Sequence, residues 1–211
     1  MSSGYQEIRL GHSSQREALW KGLSKYLQRW VDTASPALDI GSGRSDFLQH
    51  VQSSRKVAID VDSTAFGDPI DGMEQIVSDA TQLDLFADGS FGTVLASNFL
   101  EHLEWEQVEK CLGECFRVLR PGGRLIVIQP NFALKPQQYF DDYTHRTIFT
   151  HQSLTDWLRV IGFEITFSEP KFLPLTLNSR LRHGHRLLNV YLALPFKPFA
   201  GQMLVVATRP H

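Results

Sequence analysis

The sequence predicts an α/β fold built on a seven-stranded, mostly parallel sheet with helices on both faces and an antiparallel last strand. Three observations lead there. Short apolar runs close on acidic or small polar residues: Leu38-Asp-Ile40, Lys56-Val-Ala-Ile-Asp60 and Gln75-Ile-Val-Ser78. Segments of helical spacing alternate with such runs, the pattern of parallel strands joined by crossovers. Directly after the first run stands Gly41-Ser42-Gly43, a turn at the carboxyl end of a strand, where open α/β sheets bind ligands.

The elements follow in order. Leu19, Trp20, Leu23, Tyr26, Leu27 and Trp30 fall at helical spacing, so a helix is expected within residues 13–32. Residues 1–34 thus read as an N-terminal helical lid. The core spans residues 35–170, with strands near 38–40, 56–60, 75–78, 92–97, 124–129 and 163–168. Between Asp60 and Gln75, Gly, Pro and acids predict a short or absent crossover helix. A helix over 104–119 runs into the Pro121-Gly122-Gly123 turn, and Thr150 or Ser153 opens a helix over 151–161. Residues 171–201 form a basic and apolar insertion, and 202–211 supply the final strand and tail of a single 1–211 domain.

Composition fits one domain. The chain has 211 residues, 42% hydrophobic, enough for one core and short for two. A net charge of −2 gives no general attraction for nucleic acid, and no nucleic-acid partner is expected. The start Met-Ser-Ser-Gly-Tyr lacks a basic-then-apolar leader, and no apolar run nears the roughly 20 residues of a membrane span. A cytoplasmic location, with peripheral membrane contact as an option, is the expectation. Cys111 and Cys115 sit four apart on a helix and read as buried small residues.

The glycine loop argues against a dinucleotide. A pyrophosphate fingerprint needs a third glycine at the position of Asp46, whose carboxylate would repel phosphate at the same helix start. A cofactor carrying a sulfonium and an ammonium group has no such conflict, and Asp39 favours it. Asp60 can accept ribose hydroxyls, and Asp79-Ala80 can meet an adenine amino group. Asp39, Asp60 and Asp79 close three successive strands on one rim.

These residues carry a resemblance. Asp39-Ile-Gly-Ser-Gly43, Asp60, Asp79-Ala80, Leu85-Phe-Ala-Asp-Gly-Ser-Phe91, Ser97-Asn-Phe-Leu-Glu-His102 and Arg117-Val-Leu-Arg-Pro-Gly-Gly123 resemble class I S-adenosylmethionine-dependent methyltransferases in order and spacing. The similarity covers roughly residues 35–170 and lies with the small-molecule type, near the ubiquinone-pathway and polysaccharide or natural-product O-methyltransferase branches. It implies a Rossmann-like fold and S-adenosyl-L-methionine as cofactor, held by Asp39, Gly41, Ser42, Gly43, Asp60, Val61, Asp79, Ala80, Ser97 and Asn98. Two positions depart from the family: Ser45 stands for its third glycine, and Gly92 for the acid that follows Phe91.

Methyl transfer to a hydroxyl needs an aligned nucleophile and a proton acceptor, a task suited to histidine. His102, beside Glu101 after the fourth strand, and His145, in Tyr139-Phe-Asp-Asp-Tyr-Thr-His-Arg146 after the fifth, are the candidates, with Asp142 as a catalytic partner. Glu101 or a backbone carbonyl is expected to orient His102, and Asp141 or Asp142 to bond His145. In the ubiquinone-pathway branch an additional Glu helps the Glu-His pair hold a divalent ion. Asn98 occupies that position here, so no metal is expected.

Small-molecule O-methylation of a sugar, lipid-linked sugar or natural product is the leading function. No Asn/Asp-Pro-Pro-aromatic segment, as in amino-group methylases of nucleic-acid bases, follows the fourth strand. Two other classes stay open: a non-catalytic protein that binds S-adenosylmethionine or S-adenosylhomocysteine, and a nicotinamide-dependent oxidoreductase. From residue 170 onward the chain has Lys171, Arg180, Arg182, Arg186, Lys197 and Arg209 and no acid, formally +6 against −8 for the rest. Beside apolar Leu187–Phe196, that charge suits either a helix packed on the sheet with a solvated basic edge or contact with anionic lipid or a lipid-linked substrate.

Overall fold

The computed structural model describes residues 14–66, 68–175 and 184–211. Residues 1–13 of the expected lid, and Arg180 and Arg182 of the basic run, lie outside the described residues. Seven strands form one sheet: β1 (Ala37–Ile40), β2 (Lys56–Asp60), β3 (Glu74–Val77), β4 (Phe91–Ser97), β5 (Leu119–Pro130), β6 (Glu164–Glu169) and β7 (Gln202–Thr208). Their order is β3-β2-β1-β4-β5-β7-β6. β1 to β5 run parallel, while β7 lies antiparallel between β5 and β6. The order of strand addition reverses after β3, with β2 and β4 on either side of β1, which opens a crevice at the carboxyl ends of β1 and β4.

Strand alternation sorts the core into two layers. Leu38, Ile40, Val57, Ile59, Val94, Ala96, Leu125 and Val127 bury against α3 (Trp105–Val118) and α5 (His151–Ile161). Ala37, Ala58, Leu95, Ile126 and Ile128 face the other layer, formed by α1 (Ser14–Leu27), α2 (Asp46–His50) and α6 (Gly184–Ala193). A short α4 (Pro136–Tyr139) lies in the loop after β5. Side chains that point to opposite faces at successive positions require this division. By the same rule Asp39, between Leu38 and Ile40, is directed into the α1–α2 layer.

Local chemistry sets the helix ends. The Glu104 side chain accepts from the third-position backbone N–H of α3, while Gln107 Oε1 accepts from Glu104 N at 3.0 Å. Thr150 and Ser153, the two expected openers of α5, act together in one such box. Gly162, at φ 115°, stops the helix in a conformation that suits glycine. Between β2 and β3 the described residues form a 3₁₀ turn, Ser63–Ala65, and no longer helix, in agreement with the proline and acids there.

Two segments differ from expectation. The first helix ends at Leu27 and tightens into a 3₁₀ turn over Gln28–Trp30. β5 does not start after the Pro121-Gly122-Gly123 turn but at Leu119, which pairs with Phe91 of β4; beyond it Gly122 N donates to Arg209 O and Arg209 N to Gly123 O, at 2.8 and 2.9 Å. Arg209 also donates from Nη1 to the carbonyls of Phe116, Arg117 and Leu119. Gly92, the departure at the start of β4, has a packing cause: a Cβ there would lie 2.5 Å from Ser35 Cβ.

Part of the insertion is packed. Phe172, Leu173, Leu188 and Leu192 are buried with Leu23 and Leu27 of α1. Lys197 pairs with Glu169 at 2.9 Å, while Val190, Phe196 and Phe199 are exposed. Among the described residues no helix is long and apolar enough to cross a membrane.

Candidate active site

The loop after β1 is built from left-handed backbone. Gly41 and Gly43 have φ 59° and 51°, and Ser45 follows at 59°. For the two glycines this geometry costs little; for Ser45 it is strained. Ser45 is fully buried, its N–H donating to Ser42 O at 2.8 Å. The missing Cβ of Gly41 faces Phe99, whose Cδ2 would lie 2.1 Å from it. Gly41 therefore admits a side chain from the loop after β4.

Only Asp60 closes its strand; Asp39 stands one residue before the end of β1 and Asp79 two residues beyond β3, and the three acids have different surroundings. Asp39 is buried, and desolvation, with the charges of Asp46 and Asp60, holds its carboxyl well above the usual carboxylate range. Asp60 Oδ2 accepts from Gly43 N at 3.1 Å and Oδ1 from Asp62 N at 3.0 Å, so this acid also ties the glycine loop to β2. Asp79 Oδ1 accepts from Thr81 N and Oγ1, both at 2.8 Å, in a tight turn that leaves the residue exposed beside buried Ala80. Val61 is exposed at the mouth of β2. Asp46 pairs with Arg16 of α1 at 2.7 Å, a contact that fixes α1 against the start of α2.

At the end of β4, Ser97 is half-buried and Asn98 adopts φ 48°. Asn98 N donates to Ile128 O at 2.7 Å, and its Oδ1 accepts from Gln202 Nε2 at 3.1 Å. Gln202 begins β7 and carries no motif signal. Adjacent Gln129 is fully buried, with neither side-chain amide atom hydrogen-bonded.

Beyond Asn98 the chain makes a 3₁₀ turn, Leu100–His102, onto which the loop after β5 folds back. Arg146 N and Thr147 N both donate to Glu101 O, at 2.8 and 3.2 Å. Thr147 Oγ1 donates to Leu103 O at 2.6 Å, and Tyr139 OH to Thr147 O at 2.7 Å. These bonds bring His145 to His102, ring centroids 5.1 Å apart and edge to face, with Tyr139 4.7 Å from His145.

The ring of His102 meets Thr144: Nδ1 lies 2.9 Å from the hydroxyl and 3.4 Å from the carbonyl oxygen. A backbone carbonyl does orient it, as expected, but with the Thr144 hydroxyl as the nearer partner. His145 N donates to Asp142 O at 3.2 Å. Glu101 is the outlier: it is buried, and neither carboxyl oxygen has a hydrogen-bond partner among the described residues. Burial first, then the charge of Asp142, pushes its carboxyl up to about 8. Glu101, His102 and His145 each offer one ligand atom, all within 4.8 Å of one another, close enough for a divalent cation to bridge.

The strand order with an antiparallel β7 defines the Rossmann-like methyltransferase fold. Residues 38–127, which hold the glycine loop and the 3₁₀ turn with His102, match the family described as the methyltransferase domain. A malonyl-acyl-carrier-protein O-methyltransferase from Methylococcus capsulatus is 34% identical over 134 residues, 60% of this chain and 42% of that protein. The chain thus spans less than half of that relative. An S-adenosylmethionine-dependent methyltransferase structure from Archaeoglobus fulgidus superposes with a TM-score of 0.68 at 19% identity, covering 97% of each chain. A [4+2]-cyclase also shares the fold, with a TM-score of 0.64 at 18% identity over 90% of this chain and 81% of its own.

Proposed function

We propose that the protein transfers the methyl group of S-adenosyl-L-methionine to a hydroxyl of a small-molecule acceptor. The carrying observation is the pair His102 and His145, which come from two loops and meet beside the carboxyl ends of β4 and β5. Asp39, Gly41, Ser42, Gly43, Asp60, Val61, Asp79, Ala80, Ser97 and Asn98 would hold the cofactor, with buried Asp39 answering its positive charge. His102 would take the acceptor proton as the oxygen attacks, and bound S-adenosyl-L-methionine would supply the methyl group, its sulfur retained as a neutral thioether. The O-methyltransferase activity in the name of the Methylococcus capsulatus relative supports an oxygen acceptor. Sugar, lipid-linked and natural-product hydroxyls are the classes in view, and residues 171–201 would make the peripheral contact with anionic lipid or a lipid-linked acceptor.

The test uses S-adenosyl-[methyl-³H]methionine with a small-molecule extract. Label in an alkali-stable ether supports the reading, and label in an ester shifts the acceptor to a carboxylate. Tight cofactor binding by calorimetry without label in any product favours the non-catalytic binder.

A second reading has its own observation, the partnerless buried carboxyl of Glu101 close to two imidazoles. A divalent cation held by Glu101, His102 and His145 would acidify a coordinated hydroxyl. Metal content of the purified protein, and the response of methyl transfer to chelation and re-addition of zinc or manganese, decide between the two.

A further inference from the structure

Thr144 stands between a carboxylate and an imidazole. Its Oγ1 lies 2.6 Å from Asp142 Oδ1 and 2.9 Å from His102 Nδ1. Asp142 Oδ1 also accepts the Thr144 backbone N–H at 3.0 Å, which fixes the carboxylate oxygen in place as an acceptor. A hydroxyl carries one proton, and an ionised carboxylate can only accept. With that proton directed at Asp142, Thr144 Oγ1 presents lone pairs to the ring. The second atom near Nδ1, the Thr144 carbonyl oxygen at 3.4 Å, is an acceptor too. Two acceptors at one ring nitrogen call for a proton on it.

We infer that Thr144 is a positioning residue that holds His102 in its Nδ1–H tautomer and so leaves Nε2 as the basic nitrogen. The inference rests on the proposed proton-accepting role of His102 for its consequence, and adds which nitrogen serves and what selects it. An imidazole in water favours the Nε2–H form, so the site opposes the intrinsic preference. Where a histidine must accept a proton, a group that selects the tautomer controls rate without touching the substrate. The same selection would serve a cation, since a ligating imidazole commonly donates its other N–H to an oxygen.

Long-range ¹H–¹⁵N NMR on chelator-treated, ¹⁵N-labelled protein reads the tautomer directly, at a pH where the ring is neutral. The His102 signals are identified by their loss in His102→Gln. The wild-type chain should show Nδ1 protonated and Nε2 bare. Thr144→Val, which keeps only the more distant carbonyl beside Nδ1, should shift the ring toward the Nε2–H form, and Thr144→Ser should shift it back. Asp142→Ala gives a second route: it frees the Thr144 proton to donate to Nδ1 and should also yield Nε2–H. Dominant Nε2–H in the wild-type chain, or an unchanged tautomer in both Thr144→Val and Asp142→Ala, overturns the inference.

In the tritium assay Thr144→Val should lower methyl incorporation at least ~10-fold, with S-adenosylhomocysteine affinity unchanged and Thr144→Ser restored. If the wild-type ring is Nδ1–H yet His102→Gln keeps full transfer, the proton-accepting role falls and the tautomer assignment stands.

Discussion

The ring of Phe99 packs onto Gly41, so close that a Cβ on the glycine would stand 2.1 Å from Phe99 Cδ2. The glycine loop of β1 and the loop after β4 are thereby one unit. Gly41→Ala should lower both thermal stability and S-adenosylhomocysteine affinity, because it adds a clash to a backbone at φ 59°. Adding Phe99→Ala should relieve the clash and leave the left-handed strain, about 1 kcal/mol. Denaturant unfolding of both single variants and the double variant measures the coupling; strict additivity would contradict the contact.

Ser45 shows the opposite case, a side chain where glycine would fit better. It holds φ 59° while fully buried. Ser45→Gly should raise stability by about 0.5–1 kcal/mol, the relief of strain being partly offset by the entropy of the unfolded glycine. Urea midpoints at constant slope give the comparison.

Asp60 has two duties, accepting Gly43 N and remaining half-exposed toward the cofactor rim. Asp60→Ala should weaken cofactor affinity by roughly 1–3 kcal/mol. Asp60→Asn keeps one oxygen for the loop, so a smaller loss there would separate loop anchoring from ribose recognition. Calorimetric titration provides both numbers.

Cofactor binding should release protons. Asp39 is held above the usual carboxylate range by burial and by Asp46 and Asp60. A cationic ligand stabilises the ionised form, so affinity should rise with pH through the range where Asp39 titrates. Titrations in buffers of different ionisation enthalpy measure the released protons, and zero release would remove Asp39 from the cationic site.

Glu101 makes stability fall as pH rises. Its carboxyl titrates near 8 in the folded chain against an ordinary 4.5, so the folded state holds more protons between those values. In metal-free protein the protonated form's contribution is complete below about 4.5 and is lost as pH rises through about 8. Glu101→Gln, which does not titrate, should match the wild-type chain near pH 5 and exceed it near pH 8, by ~4 kcal/mol at most. Equal pH dependence for the two chains would show that Glu101 is ionised throughout.

Sequence alone determined the parts of this protein that rest on local pattern. Leu38–Ile40 alternates apolar and polar, the glycines follow at once, and Thr150 with Ser153 spells a helix start. Each depends on neighbours a few positions away, so strand positions, helix starts and the acids near the strand ends were readable along the chain. The Asp-x-Thr spacing of Asp142 and Thr144 was equally local, a turn signal that could have pointed to the hydroxyl.

Only the tertiary structure decided what those parts touch. Phe91 draws the start of β5 back to Leu119, Phe99 fills the space above Gly41, Gln202 meets Asn98, and Arg16 holds Asp46. Above all, the loop after β5 folds onto Glu101 and brings Thr144 and His145 to His102. Such contacts join residues far apart in the chain, where no periodicity or spacing records the pairing. Burial, too, belongs to the whole fold: it turns Glu101 from an ordinary acid beside a histidine into a carboxyl that keeps its proton near neutral pH.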